Sequence, residues 1–401
     1  MSNTPRLNWL LFAGFLLVAL GVTVGALVLP AFRPLAYAPL RELVLPPPSP
    51  VVVSLLYSTE KEQWLAEVVP AFEATHPQIN GHPVVLKLEK SGSREMILAV
   101  LNQQAQPDLI SPASSLQISI LQDQSLNVFG HSIVNPSDAQ NCRPVLRTPL
   151  VMVAWKERAD VLWGDNPGTD MWLRLHDAVI DPNGWAALNH PEWGYVKFGH
   201  TDPLKSNSGF QAILLMTYGY LHKTAGLSGG DILSNPDYQR WFLELENSIS
   251  DFGDSTGTYM KDMVAFGPSK YDLIAVYESV AIEQSANASN RYGQLRVYYP
   301  PATLWSDHPF CVVVADWVSP DQARAAQLFL NYLGSEPAQR AALLKYGFRP
   351  VDTSIPLDQP GSPFQTYAAN GFLIAVPPEV EVPPGNVLNT LLDFWARSVQ
   401  R

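Results

Sequence analysis

The chain has 401 residues, 47% of them hydrophobic, and a formal net charge of −11 at pH 7 from 26 Lys and Arg against 37 Asp and Glu. That is length and apolar content enough for two lobes with extensions. The absence of any basic run excludes nucleic acid as an expected partner, and acidity of this size speaks for solubility more than for a particular ligand. Two cysteines, Cys142 and Cys311, are too few for a disulfide framework, and no zinc spacing is present. The chain also lacks GxxxxGK[ST], GxGxxG, HExxH and GxSxG patterns. Ser, His and Asp occur, but no nucleophile elbow places them, so an enzyme is not expected and no cofactor is implied.

The N-terminal run Asn8 to Pro30 carries no charge. At the helical rise it spans about 34 Å, enough to cross a bilayer core. Arg6 before it favours an inside N-terminus. The rival is a cleavable signal, with an AxA-like triplet at Ala36-Tyr37-Ala38 followed by Pro39. The apolar run is longer than a signal's and the triplet lies well past it. The expectation is therefore a single-pass cell-membrane anchor: a cytoplasmic tail over 1–7, an anchor over 8–30, and the bulk of the chain outside the cytoplasm. A proline-rich linker over 31–50 follows, extended and semi-rigid.

Residues 51–58, VVVSLLYS, read as a strand buried on both faces. Trp64, Leu65, Val68, Val69 and Phe72 then recur at helix spacing, and Thr59 with Glu62 reads as a capping box. The unit repeats: strand 84–90, turn Ser91-Gly92-Ser93, helix through Met96 to Leu101. A short strand at Asp108-Leu109-Ile110 runs into Ser111, Ser114 and Ser115. Alternating strand and helix predicts a parallel, doubly wound sheet, in which ligands sit beyond the C-terminal ends of the strands. All three hydroxyl clusters fall at that edge.

Residues 148–156 read as a strand crossing to a second lobe. The stretch 190–210, HPEWGYVKFGHTDPLKSNSGF, reads as a strand, a polar loop and the start of a helix carrying Phe210, Ile213, Leu214 and Thr217. Its Ser206, Asn207 and Ser208 stand where side chains cap a helix and where a helix start can hold a ligand's oxygens. A helix over 235–252 and strands at 271–279 and 296–299 follow. Residues 309–318 are expected to return to the first lobe. Ser319, Pro320 and Gln322 start a helix that Gly334 stops, Gly347 ends the next, and Val387 to Ala396 form a last amphipathic helix. The expected organisation is lobe 1 over 51–147, lobe 2 over 148–308, and a return with C-terminal helices over 309–401.

The segments 190–210, YDLIAVYESVAIEQ (271–284) and 305–350, ending YGFRP, resemble those of bacterial extracytoplasmic solute-binding proteins of the type II, molybdate-binding-like class. The nearest resemblance is to modules found beside von Willebrand factor A-type domains, although no DxSxS motif of that domain is present. The resemblance implies an α/β, two-lobe periplasmic-binding-protein-like fold with doubly wound sheets and a hinge. It implies a small polar solute held between the lobes, with an ABC permease or a von Willebrand A-type protein as partner. The matching ligand-binding positions are Ser58, Thr59, Ser91, Ser93, Ser114 and Ser115 on one lobe. Ser206, Asn207, Ser208, Tyr277 and Glu278 match on the other. A carboxylate beside an anion disfavours it, so Glu278 leaves oxyanions and polyols both open. The resemblance also makes the crossing strands neighbours, so Cys142 and Cys311 are expected within disulfide reach.

Three other readings remain. A carbohydrate-binding protein would stack sugars on Trp193 and Trp305, whereas Trp64, Trp172 and Trp241 sit on helix faces and read as core. A metal site would use His190, Glu192, His200 and Asp202, whose types suit zinc or manganese, without any ligand motif to support it. An anchored sensor or scaffold would use the fold without a free solute.

Overall fold

The structure is a computed structural model and describes residues 4–29 and 48–399. Most of the expected linker (31–47), residues 1–3 of the expected tail and the triplet at 36–38 lie outside the described residues. The chain forms two units, Met1–Pro50 with Asn80–Pro83, and Val51–Ile79 with Val84–Arg401. The first contains helix α1 (Thr4–Val28), whose stretch Trp9–Ala26 is long and apolar enough to cross a membrane. An anchor and a signal sequence both meet that description.

In the second unit, β1 (Val51–Ser58) runs through a 3-10 turn (Thr59–Lys61) into α2 (Glu62–Glu73). Then come β2 (Gln78–Ile79), β3 (His82–Ser91), α3 (Ser93–Leu101), β4 (Leu109–Ser111), α4 (Ser115–Phe129) and β5 (Cys142–Pro144). The second lobe contributes β6 (Leu146–Trp155), α5 (Met171–Ile180), β7 (Phe198–Gly199), α6 (Asn207–Leu221), α7 (Pro236–Asn247) and α8 (Thr256–Phe266). It continues with β8 (Leu273–Tyr277), α9 (Glu278–Ser289), β9 (Leu295–Tyr298) and β10 (Trp305–Ser306). Last come β11 (Pro309–Val312), α10 (Pro320–Leu333), α11 (Glu336–Tyr346), β12 (Arg349–Pro350) and α12 (Gly385–Ser398).

Among the described residues the first sheet is ordered β2-β3-β1-β4-β11-β5. β3, β1 and β4 are parallel, and β11 returns antiparallel beside β4 and β5. The two-residue period of β1 feeds both faces. Val53, Leu55 and Tyr57 pack with Trp64, Leu65, Val68 and Phe72 of α2 and Phe329 of α10, while Leu56 packs with Met96, Ile97, Ile118 and Leu121 of α3 and α4. Burying each large side chain contributes about 1.5–3 kcal/mol. In the second lobe β6 is central. It pairs antiparallel with β8 on one edge and with β9 and β10 on the other, β12 pairs antiparallel with its first two residues, and β7 is parallel to β8. With both faces covered, β6 is buried along nearly its whole length.

Among the described residues three segments run between the lobes: 144–146, 306–309 and 347–349. Residues beyond 350 pack on the second lobe, where Leu391, Leu392 and Trp395 of α12 join its core. Cys142 and Cys311 stand opposite each other in the β5–β11 ladder and form a disulfide.

The caps at the end of the chain match the sequence. Ser319 Oγ accepts from Gln322 N at 3.2 Å and the Gln322 side chain accepts from Ser319 N at 3.0 Å. Gly347, at φ +69°, closes α11 in the left-handed conformation that glycine adopts readily. The Thr59–Glu62 capping box does not form. Lys90 and Lys261 donate to the Glu62 carboxylate at 2.6 and 3.4 Å, and Thr59 Oγ1 has no hydrogen-bond partner among the described residues. Two cations are better partners for a carboxylate than one backbone amide.

Candidate functional site

Parallel register aligns the strand ends of the first lobe. Ser58 stands beside Ser91, and Ser111 beside Tyr57, so the following helices start along one edge. Ser93 Oγ accepts from Ala113 N at 3.0 Å and ties α3 to the loop after β4. Ser114 Oγ caps α4 by accepting from Leu116 N at 3.2 Å. Ser115 N donates at 2.7 Å to the carboxylate of Asp307, which lies in the 306–309 crossing, and Ser115 Oγ donates to the same group.

The second lobe faces this edge with the start of α6. Ser208 Oγ lies 2.7 Å from Thr201 Oγ1 and accepts from Thr256 Oγ1 at 2.7 Å. Ser206 Oγ lies 3.3 Å from the same Thr256 oxygen. Asn207 Nδ2 donates to Tyr277 OH at 3.0 Å, and Asn207 Oδ1 accepts from Gln117 Nε2 of α4 at 3.1 Å. That last bond joins the two lobes inside the cluster. Burial holds Tyr277 in its neutral form by pushing its phenol well above the ordinary value.

The structure thus brings Ser58, Thr59, Ser93, Ser114, Ser206, Asn207, Ser208 and Tyr277 to the facing edges of the lobes. The other three named positions have different partners. Ser91 Oγ donates at 3.1 Å to Glu95 on the exposed side of α3. Ser115 is committed to Asp307. Glu278 is fully buried. Arg349 Nε and Nη2 each donate to it at 2.7 Å, and Tyr299 OH also donates to it. A buried carboxylate keeps its charge only beside such a partner.

Three residues that sequence reasoning passed over sit at the base of the cluster. Lys61, Glu60 and His308 are all buried. Lys61 Nζ donates to Ser58 Oγ and to Pro112 O at 3.3 Å, and it lies 3.6 Å from Glu60 Oε1. It also lies 3.2 Å from His308 Nδ1. Burial brings the Lys61 ammonium down to about 8, against the pull of Glu60 in the other direction, so Lys61 stays charged at neutral pH. The same His308 Nδ1 lies 3.4 Å from Glu60 Oε1, so it faces both members of the pair. Burial first, and the Lys61 charge second, hold His308 well below its ordinary value and hence neutral. Its backbone is left-handed at φ +40°, an uncommon conformation for a residue other than glycine. The Glu60-Lys61 pair reads locally as a solvated helix start, so its sequence gave no sign of burial. Thr256, by contrast, lies in the run GDSTGT before a helix, the same hydroxyl signal that singled out Ser206 to Ser208.

Several polar atoms here are buried without a hydrogen-bond partner among the described residues: Thr59 Oγ1, Ser111 Oγ, Gln117 Oε1 and His308 Nε2. Buried polar groups are normally paired, so these four atoms stand out in the cluster.

The metal and sugar candidates are arranged otherwise. His190 stacks on Trp193, with ring centroids 3.8 Å apart, and pairs with Glu192, while buried His200 faces Glu246. Among the described residues no group of three or more His, Cys, Asp or Glu is placed to hold a metal ion. Arg158 lies 3.5 Å over the Trp193 ring and Arg147 lies 4.4 Å over that of Trp305, so one face of each indole is already engaged.

Residues 53–349 match the model of the bacterial extracellular solute-binding protein family. The chain belongs to that family. Two uncharacterised proteins of Mycobacterium tuberculosis, from strains CDC 1551 and H37Rv, are each 21% identical to it over 312 residues, 76% of this chain and 42% of theirs. The chain thus spans less than half the length of these curated relatives. Solved structures share the fold. The sulfate-binding protein SubI of Mycobacterium tuberculosis superposes with a TM-score of 0.54 at 18% identity, over 86% of this chain and 97% of its own. The substrate binding protein of an ABC transporter from Agrobacterium tumefaciens gives 0.57 at 14% identity, over 88% and 95%. In this solute-binding protein the two-lobe fold is therefore shared with known binding proteins.

Proposed function

We propose that this solute-binding protein holds a small polar solute between its lobes and delivers it to an ABC-type permease, tethered to the membrane by α1. The observation that carries the reading is the buried hydroxyl and amide cluster, to which both lobes contribute and which leaves polar atoms unpaired. Helix starts from both sides offer amide donors and partial positive charge. Hydroxyls donate or accept as required, and Lys61 and Glu60 cancel each other's charge. The cluster therefore suits an oxygen-rich solute, whether oxyanion or polyol. Closure of the lobes on a hinge brings the two halves of such a site together. Its likeness to a sulfate-binding protein and to an ABC transporter's substrate binding protein supports the transport role.

A thermal-shift screen of the full chain with sulfate, phosphate, molybdate, sugar phosphates and neutral sugars tests the reading. At least one solute raises the melting temperature. Ser208→Ala weakens that solute roughly 5- to 150-fold, the cost of about 1–3 kcal/mol for a lost buried hydrogen bond. No shift with any solute, or unchanged affinity in Ser208→Ala, overturns the assignment. N-terminal sequencing of protein from native membranes checks the anchor. A mature chain beginning before residue 8 supports it, and one beginning at Pro39 or later refutes it.

A further inference from the structure

The lobes approach each other closely at two glycines, one from each lobe. Gly92 is the N-cap of α3 in the first lobe. A Cβ there would stand 2.8 Å from the carbonyl oxygen of Lys205 and 3.2 Å from that of Asp254, both in the second lobe. Gly257, in the first turn of α8, answers from the other side. A Cβ on it would stand 3.3 Å from the carbonyl carbon, carbonyl oxygen and Oγ1 of Thr59 in the first lobe.

Neither position needs glycine for its own conformation. Gly92 has φ −64° and ψ 146°, which any residue adopts. Gly257 lies in a helix, where glycine is a poor choice. What the missing side chains allow is the approach itself. At Gly92 it brings Lys205 O to 3.0 Å from Arg94 N and 3.3 Å from Glu95 N. Those amides open α3 and have no acceptor within their own helix. The second lobe therefore caps a helix of the first. Lys261 of α8 reaches Glu62 of α2 at 3.4 Å beside the Gly257 contact, so charge and backbone draw together at the same place.

We propose that Gly92 and Gly257 are the positioning residues of closure: they set how near the lobes come, and so restrict the cleft to a compact solute. This rests on the reading that the solute sits between the lobes. A methyl group at either glycine acts as a spacer. It leaves each lobe's own fold intact and separates Lys205 O from the start of α3.

Hydrogen–deuterium exchange with mass spectrometry on the full chain in detergent tests this, each variant being read on the lobe it does not belong to. In Gly257→Ala the amides of Arg94 and Glu95 exchange roughly tenfold faster or more than in wild type, the expectation for losing a cross-lobe hydrogen bond. In Gly92→Ala the first turn of α8 gains exchange. Gly230→Ala, in a short helix where the nearest atom to a Cβ is Ser228 Oγ at 3.7 Å, leaves both peptides unchanged. A purely local effect of Gly257→Ala would alter α8 and not the start of α3. Unchanged exchange at Arg94 and Glu95 in Gly257→Ala, or at the start of α8 in Gly92→Ala, overturns the proposal, and either variant suffices if the other fails to fold. The exchange needs no solute, so a wild type that shows no thermal shift with sulfate or the other solutes counts against the binding reading alone.

Discussion

The Glu278–Arg349 pair joins the start of α9 to the third crossing between the lobes. Its two bonds of 2.7 Å lie between side chains that are 0% and 7% exposed. Arg349 Nη1 also donates to Ile374 O at 2.7 Å, which ties the C-terminal tail to the same guanidinium. Glu278→Ala removes the counter-charge and leaves the guanidinium buried, a loss of about 3–5 kcal/mol. Removing both charges in Glu278→Leu with Arg349→Met leaves apolar groups of similar bulk in their place. The double variant therefore lies within about 2 kcal/mol of wild type, because the desolvation of both ions disappears together. Urea unfolding followed by tryptophan fluorescence measures all three. A Glu278→Ala loss below about 1 kcal/mol, or a double variant no more stable than the single, refutes the argument. A further substitution at the same position tells a structural carboxylate from one that touches solute. Glu278→Gln lowers stability, and any solute found for the cleft still binds.

His200 gives a pH test. Its Nδ1 lies 2.7 Å from Thr201 O and its Nε2 2.9 Å from Glu246 Oε1, so both nitrogens face acceptors, which favours the imidazolium. Burial draws its pKa down, but the Glu246 carboxylate outweighs burial and leaves it raised. A raised folded-state value means that this stabilisation is complete below the unfolded value of about 6.5 and is lost as pH rises through the folded one. The stability difference between wild type and His200→Asn therefore shrinks on going up in pH above about 6.5, and a difference constant from pH 5.5 to 9 refutes it. Replacing both Cys142 and Cys311 by alanine opens a loop of sequence separation 169 and costs about 2–5 kcal/mol. Intact-mass measurement after alkylation without reductant finds no modified thiol in wild type, and two modified thiols would show the pair unbonded. Lys61→Met removes a buried charge but strands Glu60 and the Ser58 hydroxyl, so it destabilises by about 1–3 kcal/mol or more. An equal or higher melting temperature would show that the cluster does not depend on the ammonium.

What the sequence determined by itself was local. The buried runs of β1 and β6, the helix spacing in α2, the Ser319 cap, the stop at Gly347 and the hydroxyls at strand ends all depend on residues within about four positions of one another. Such signals survive whatever the rest of the chain does. Tertiary structure alone decided which partners meet. Ser208 and Ser91 carry the same hydroxyl at equivalent junctions, yet one is buried among Thr201 and Thr256 and the other turns outward to Glu95. Glu278 finds Arg349 71 residues away, and Lys61 finds His308 across 247. The Thr59–Glu62 cap fails because Lys90 and Lys261 arrive from other elements. A polar side chain in a folded interior must find a partner that burial leaves within reach, and chain closure between distant segments determines which partner that is.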